Sequence, residues 1–440
     1  MIGAGSGFVL QVAAEVTNPF FAGSEFVIMD ISQERLDESE KMVAELLAAN
    51  DVGISLKSTT SEAEALDGAN YVISSCEQKR WEFWLKDLKI PEKYGVYMVT
   101  AENGGPGGQI HALRNIGMYS KIAKAMERYC PNAWLMNFSN PLSFLSTYLN
   151  KYSKIKTLGF CHQVHGSFGV VAEMLGFEPG DLEPISGGVN HFNWLVDVRR
   201  KGSAKSFLPE FIHRVRESKY WREQFKDIPD HRLTLDVLNT FGAYPVGYDD
   251  HIVEYLPIFY ERHEWEKLGI YSCEEWLHGK INDNRGNTLE TVYRLVKGEI
   301  MHPFPKDDNH PYYKEEPCRV IQALETNIPT YIDAMNIMNH GSISNLPPDA
   351  IVDIPALVIG GAVRGIHVGE LPLGAMELCR RQITIHEMVA RSAHEGDPNL
   401  FLQSLCLDPY VHSITQAKAI WKDYLEEYKD VLPMFRESRK

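Results

Sequence analysis

The chain opens Met1-Ile2-Gly3-Ala4-Gly5-Ser6-Gly7-Phe8, and no other stretch limits the possible folds as strongly. Gly3 and Gly5 are the first two glycines of a G-x-G-x-x-G loop, Phe8 stands where the third belongs, and a helix-like run follows. In such loops main-chain amides and a helix N-terminus hold a pyrophosphate. Asp30 ends the next strand-like segment, "EFVIMD", 27 residues after Gly3. That is near where an acidic group takes the ribose hydroxyls of NAD and repels the extra phosphate of NADP. Gly3, Gly5, Ser6, Gly7, Phe8 and Asp30 are therefore the expected NAD-binding residues. A mere tight turn would not account for loop, helix and acidic residue together. Only Met1 and Ile2 precede the loop, so the first strand is expected to be frayed or to start a few codons earlier.

Residues 1 to about 160 alternate strand-like and helix-like segments. "EFVIMD" (25–30), "NYVISS" (70–75), "VYMVTAE" (96–102), "AWLMNFSNP" (133–141) and "KTLGFCH" (156–162) read as strands. The stretch 32–50 behind an N-cap Ser32 and the stretch from about Ala112 to Tyr129 read as helices. Strands separated by helices imply right-handed crossovers and a doubly wound parallel sheet. From about 180, "LEPISGGVNHFNWLVDVRR" reads as paired antiparallel strands, and 205–420 as mostly helical, most clearly in "QITIHEMVARSAHEG" (382–396). The expected fold is α/β: a Rossmann-like NAD-binding domain over 1–178, then a mixed, mostly helical α+β domain over 179–440 for substrate, metal and oligomerisation. The Pro- and charge-rich stretch 303–316 reads as a surface loop, and the glycine-rich 102–115 as a flexible crossover or a flap over the ligand.

A formal charge of −15 argues against nucleic acid or anionic lipid as partner, because both need a clustered positive surface. No apolar run reaches the roughly 18 to 20 residues that span a bilayer, and no basic segment with an apolar core opens the chain. The expected location is the cytoplasm. Seven cysteines without CxxC spacing fit free thiols in a reducing compartment.

Two short motifs carry the chemistry. "GFCHQVHG" (159–166) puts Cys161 and His162 at a strand end, on the edge where doubly wound sheets bind ligands, and "GGVNHFNW" (187–194) puts Asn190 and His191 on the next unit. A thiolate and an imidazole from different segments can share a divalent metal. A strand-end cysteine is equally at home as a small buried hydrophobe, and a histidine beside Phe192 and Trp194 as a core residue. The residues alone leave both readings open.

The loop with Asp30, "SNP" at 139–141, "CH" at 161–162, "NHFNW" at 190–194 and "NHGSISNLPPDAIVDIP" at 339–355 together resemble glycoside hydrolase family 4 from residue 2 to beyond 400. That resemblance implies a lactate/malate dehydrogenase-like fold and a need for NAD and a divalent metal, usually Mn2+. It also implies a glycosidase chemistry that departs from the two-carboxylate scheme: hydride removal at C3, deprotonation at C2, elimination at C1, water addition and return of the hydride, with no net redox change. Residue by residue it implies Cys161 and His191 as metal ligands, Asn140 and Asn190 as sugar contacts, and His162 as acid at the glycosidic oxygen. For the C2 base Tyr244, Tyr248, Asp249 and Asp250 compete, with Asp250 favoured and Tyr244 behind it. Asn339 and His340 are within the motifs that could reach ligand. A homodimer or homotetramer is implied as well.

The resemblance also bears on substrate. In the family "C-N-x-P" accompanies phosphorylated β-glucosides, "C-D-M-P" phosphorylated α-glucosides, and "C-H-x-V" unphosphorylated α-linked sugars. Here the string is Cys161-His162-Gln163-Val164, which implies an α-galactoside, α-galacturonide or α-glucoside. Gln163 departs from the Glu associated with galacturonides and the Ser associated with galactosides, so the sugar stays open. The rival readings are an NAD-dependent dehydrogenase of a hydroxy acid or sugar, a 6-phospho-glycosidase, and a non-catalytic NAD sensor.

Overall fold

The computed structural model describes residues 1–217, 232–247, 249–257, 262–268 and 317–435. The loop 303–316 and Tyr248 lie outside the described residues.

The N-terminal half is a parallel α/β arrangement. Ile2 replaces a first strand: it bridges Met29 on one side and Ser74 on the other, both in parallel. It thereby joins strands β1 (Glu25–Met29) and β2 (Ser55–Thr59) to β3 (Tyr71–Ser74), β4 (Trp134–Asn137) and β5 (Lys156–Gly159). Helices α1 (Phe8–Val16) and α2 (Gln33–Asn50) follow the loop and β1, and Ser32 caps α2 by accepting the Arg35 amide. β2 has no counterpart among the expected strands; its Ser-Leu-Lys-Ser-Thr sequence lacks an apolar run because this edge strand is only partly buried.

One expected strand is absent. Residues 96–102 are apolar and buried at Val96, Met98, Val99 and Ala101, yet they are irregular. The amides of Glu102 and Asn103 go to the side chain of Glu254 rather than to a strand partner, so no ladder forms. The glycine-rich stretch is no flap either. Helix α3 (Gly105–Tyr129) begins seven residues earlier than expected, and its first turns are fully buried.

The second half continues the same sheet across the boundary expected at 178/179. β6 (Leu182–Val189) and β7 (Phe192–Arg200) form the expected antiparallel hairpin, and β8 (Tyr244–Val246) pairs with β7. Among the described residues beyond 205 helices dominate, led by Leu373–Glu395, but β9 (Thr330–Met338) and β10 (Ile351–Ile359) insert between β5 and β6, giving the order β3-β4-β5-β9-β10-β6-β7-β8. β11 (Ala362–Gly365) pairs with β10. A single row of partners crosses this sheet: Ser74, Asn137, Gly159, Asn336, Asp353, Gly188, Asn193 and Val246. Asn140, Cys161, Asn190 and His191 each follow a member of that row by two or three residues, so the fold delivers them to one region. Among the described residues no helix is long and apolar enough to cross a membrane.

Candidate active site

The glycine loop at residues 3–8 is built by sterics. Gly3 has φ +84°, and a Cβ there would lie 2.2 Å from the carbonyl oxygen of Ser75, so only glycine fits. Asp30 reaches back into the loop: its Oδ2 accepts the Gly5 amide at 2.8 Å and its Oδ1 the Ser32 amide at 2.9 Å. Ser6 Oγ donates to the Gly3 carbonyl at 2.8 Å and lies 3.3 Å from Ser75 Oγ. Gly7 caps α1 and Phe8 opens it. The missing third glycine has a use, since the Phe8 ring lies 4.4 Å from Phe138, which stacks at 4.9 Å on Phe160, the residue before Cys161. An aromatic column thus ties the loop to the strand end that carries the cysteine.

Cys161 and His191, 30 residues apart, meet at 3.3 Å between Sγ and Nε2. His191 turns the β6–β7 hairpin with φ 137°, a backbone region costly for a side chain of this size, which the surrounding bonds must hold. The Asn103 side-chain amide nitrogen lies 2.8 Å from Nδ1, so a neighbouring amide holds one ring nitrogen while the other, Nε2, faces the sulfur. Burial pushes the His191 proton affinity well below that of a free imidazole, with the neighbouring charges of His251 and His162 acting the same way. The ring is therefore neutral, as a metal ligand must be.

Sequence reasoning missed three residues around this pair. The ligand atoms of Glu102, His191 and His251 all lie within 4.8 Å of one another, and the His251 ring is 4.4 Å from that of His191. His251 directly follows Asp250, and Glu102 opens the glycine-rich stretch, but nothing local marks either as a site residue. Glu254 is the third. Burial raises its carboxyl to about 7 against the opposing charge of His251. In Glu102 burial acts the same way, but the charges of Arg80, His251 and His111 outweigh it and hold the carboxyl below its usual range. Arg80 donates to Glu102 at 2.9 Å and also pairs with Glu77, which His111 contacts at 2.8 Å.

The other expected residues separate by environment. Asn190 is buried, and neither its Oδ1 nor its Nδ2 has a hydrogen-bond partner among the described residues. Asn140 is half-buried; its Oδ1 accepts the Leu142 amide, and its main-chain oxygen accepts from Asn115. His162 is exposed at the start of helix α4 (Gln163–Leu175). Asp250 has a buried Oδ1 with no partner among the described residues. Asp249, in contrast, accepts the amides of Leu233 and Thr234 and the Thr234 hydroxyl, which is a helix-capping role. Tyr244 lies in an apolar cluster, edge-on to Phe211, and burial together with Asp249 raises its proton affinity where a base would need it lowered. Asn339 spends both side-chain atoms on its own loop, donating to Ile343, Leu346 and Pro347 carbonyls and accepting the Ile343 amide.

Cys161, His191, Glu102 and His251 thus gather at a strand end that aromatic rings tie to the Gly3–Phe8 loop, on an α/β sheet. The sequence profile described as Family 4 glycosyl hydrolase matches residues 1–177, and that of the family's C-terminal domain matches 186–411; the chain belongs to this family and is a glycoside hydrolase. It is 29% identical over 431 residues to an alpha-galactosidase of Rhizobium meliloti (strain 1021), covering 96% of this chain and 86% of that protein. An alpha-galacturonidase of Thermoanaerobacterium saccharolyticum (strain DSM 8691 / JW/SL-YS485) is 28% identical over 390 residues, covering 84% and 81%. The fold matches that of a 6-phospho-alpha-glucosidase from gut microorganisms, solved in complex with NAD and Mn2+, with a TM-score of 0.77 at 20% identity over 98% of both chains.

Proposed function

We propose that the enzyme hydrolyses an unphosphorylated α-linked hexoside, an α-galactoside, α-galacturonide or α-glucoside, with NAD and a divalent cation such as Mn2+ as catalysts that are not consumed. The observation that carries this reading is the 3.3 Å approach of Cys161 to His191 at the strand end tied by aromatic rings to the Gly3–Phe8 loop.

The residues fit both groups. Gly3 leaves the cradle that a Cβ would fill, and the carboxylate of Asp30 retains acceptor capacity beyond its two amide bonds. Thiol and imidazole are a soft and a borderline donor suited to a divalent transition ion, with Glu102 and His251 adjacent. The amide of Asn103 has a donor and an acceptor end, so it serves either tautomer of His191. When bound, NAD supplies a hydride acceptor at the sugar's C3 and the cation supplies Lewis acidity toward the neighbouring sugar oxygens.

Around them the side chains take distinct tasks. Asn190, buried with neither amide atom partnered among the described residues, binds sugar hydroxyls, and Asn140 is a second sugar contact. Asp250 takes the C2 proton through its unpartnered Oδ1, and exposed His162 delivers a proton to the glycosidic oxygen. Tyr244 is not assigned the base role, because its apolar surroundings disfavour the phenolate. The free thiols of Cys76, Cys130, Cys318, Cys379 and Cys406 support a reducing cytoplasmic setting, and we read the active species as a homodimer or homotetramer, to be measured as molar mass in solution.

The test is hydrolysis of p-nitrophenyl α-galactoside, α-glucoside and α-galacturonide and of a 6-phospho-glucoside, with NAD and Mn2+ each added or omitted under reducing conditions. Turnover that needs both, without NADH accumulating, is the expected result. NADH formed in step with product would instead make the enzyme a net dehydrogenase, and turnover confined to the 6-phospho-glucoside would reverse the substrate reading.

A further inference from the structure

We infer that Gln163 is a positioning residue for His191, and that the residue at 163 acts on the metal pair through the main chain rather than by touching the sugar. This rests on the reading of Cys161 and His191 as metal ligands. Gln163 opens α4 two residues after Cys161 and is buried. Its Nε2 donates to the His191 carbonyl at 3.2 Å and to the Val246 carbonyl at 3.1 Å. Two carbonyl acceptors require the NH2 end of the amide to face them. One side chain therefore ties the strained β6–β7 turn to the end of β8.

Gly247 makes room for this clamp, because a Cβ there would lie 2.2 Å from Nε2 of Gln163. His191 is then held at both ends, its main-chain oxygen by Gln163 and its Nδ1 by Asn103, which leaves Nε2 aimed at Cys161. A carboxylate at 163 offers no donor and would set negative charge against two carbonyl oxygens, while a serine hydroxyl is shorter and has one proton to give. Each residue type at this position would set the His191 turn differently.

The test uses the full chain with NAD bound. Mn2+ affinity is measured by calorimetry and the absorption spectrum of the Co2+-loaded protein is recorded, for the unaltered enzyme, Gln163→Met, Gln163→Glu and Gly247→Ala. The expected result is a rise in Mn2+ Kd of about 10- to 100-fold, the range for losing an outer-shell partner, with a shifted Co2+ spectrum and unchanged NAD affinity. Gly247→Ala displaces the clamp without altering Gln163, so it decides the matter if the Gln163 variants do not fold. A lower Tm with unchanged Mn2+ affinity and Co2+ spectrum would overturn the proposal, as would a change in sugar KM alone. Failure of the unaltered enzyme to bind Mn2+, or binding undiminished in Cys161→Ala, would overturn the metal reading beneath it, a result distinct from the first.

Discussion

Glu254 grips the main chain of Glu102: its Oε1 accepts that residue's amide at 2.6 Å, while Oε2 accepts the next amide, of Asn103, at 3.1 Å. One buried carboxylate thus fixes both the acidic group beside His191 and the amide that orients the imidazole. Glu254→Gln puts an NH2 where an acceptor is needed. We predict a loss of stability of about 1–3 kcal/mol for the stranded amide, together with weaker Mn2+ binding. Denaturant unfolding and calorimetry on the same preparation check both; stability lost with Mn2+ affinity intact would confine Glu254 to a structural role.

Removing the sulfur should separate the two cofactors. Cys161→Ala is expected to abolish turnover and to weaken Mn2+ binding by more than about 100-fold, beyond the usual effect of an outer-shell change, while NAD still binds, because the loop of Gly3 to Phe8 is made without the thiol. NAD binding followed by fluorescence tests this. Loss of NAD binding in the variant would refute the division of labour.

The loop itself allows a converse experiment. Gly3→Ala sets a methyl 2.2 Å from the Ser75 oxygen at φ +84°, so NAD affinity should fall and folding should lose at least about 1–3 kcal/mol from backbone strain. The Mn2+ pair should be affected far less, since Cys161 and His191 sit on other elements. Undiminished NAD binding would show that the loop is not the pyrophosphate site.

Acid sensitivity should trace in part to His386, buried against Phe144 at 4.2 Å, where desolvation lowers its pKa to about 3. A histidine depressed in the folded state protonates first in the unfolded chain. The stability it preserves is therefore fully present above the unfolded pKa near 6.5 and drains away as pH falls toward 3. Relative to His386→Leu, the unaltered protein should lose about 3 kcal/mol between pH 7.5 and 4.5. Unfolding midpoints of the pair at both pH values measure this, and a difference independent of pH would contradict it.

Local sequence determined a good deal here. Motif spacing marked the Gly3–Phe8 loop and Asp30 beyond it, and local pattern marked the N-cap Ser32, the β6–β7 hairpin and the helical stretch 382–396, because a cap and a period of two or 3.6 depend on neighbours within a few residues. It also singled out Cys161 and His191, which the resemblance pairs as expected metal ligands, while their 3.3 Å approach is a matter of the tertiary structure. Tertiary structure decided what depends on distant partners. Residues 96–102 look like a strand and are none: at their end the amides of Glu102 and Asn103 are taken by the side chain of Glu254, some 150 positions away. β9 and β10 enter the middle of the sheet from beyond residue 330, and their register completes the row behind Cys161, Asn190 and His191. Glu102, His251, Glu254 and Asn103 acquire their places around His191 only there. The physical reason is common to all of them: hydrogen-bond and electrostatic partners made across space leave no period or spacing in the chain, so only packing reveals which polar groups end up facing one another.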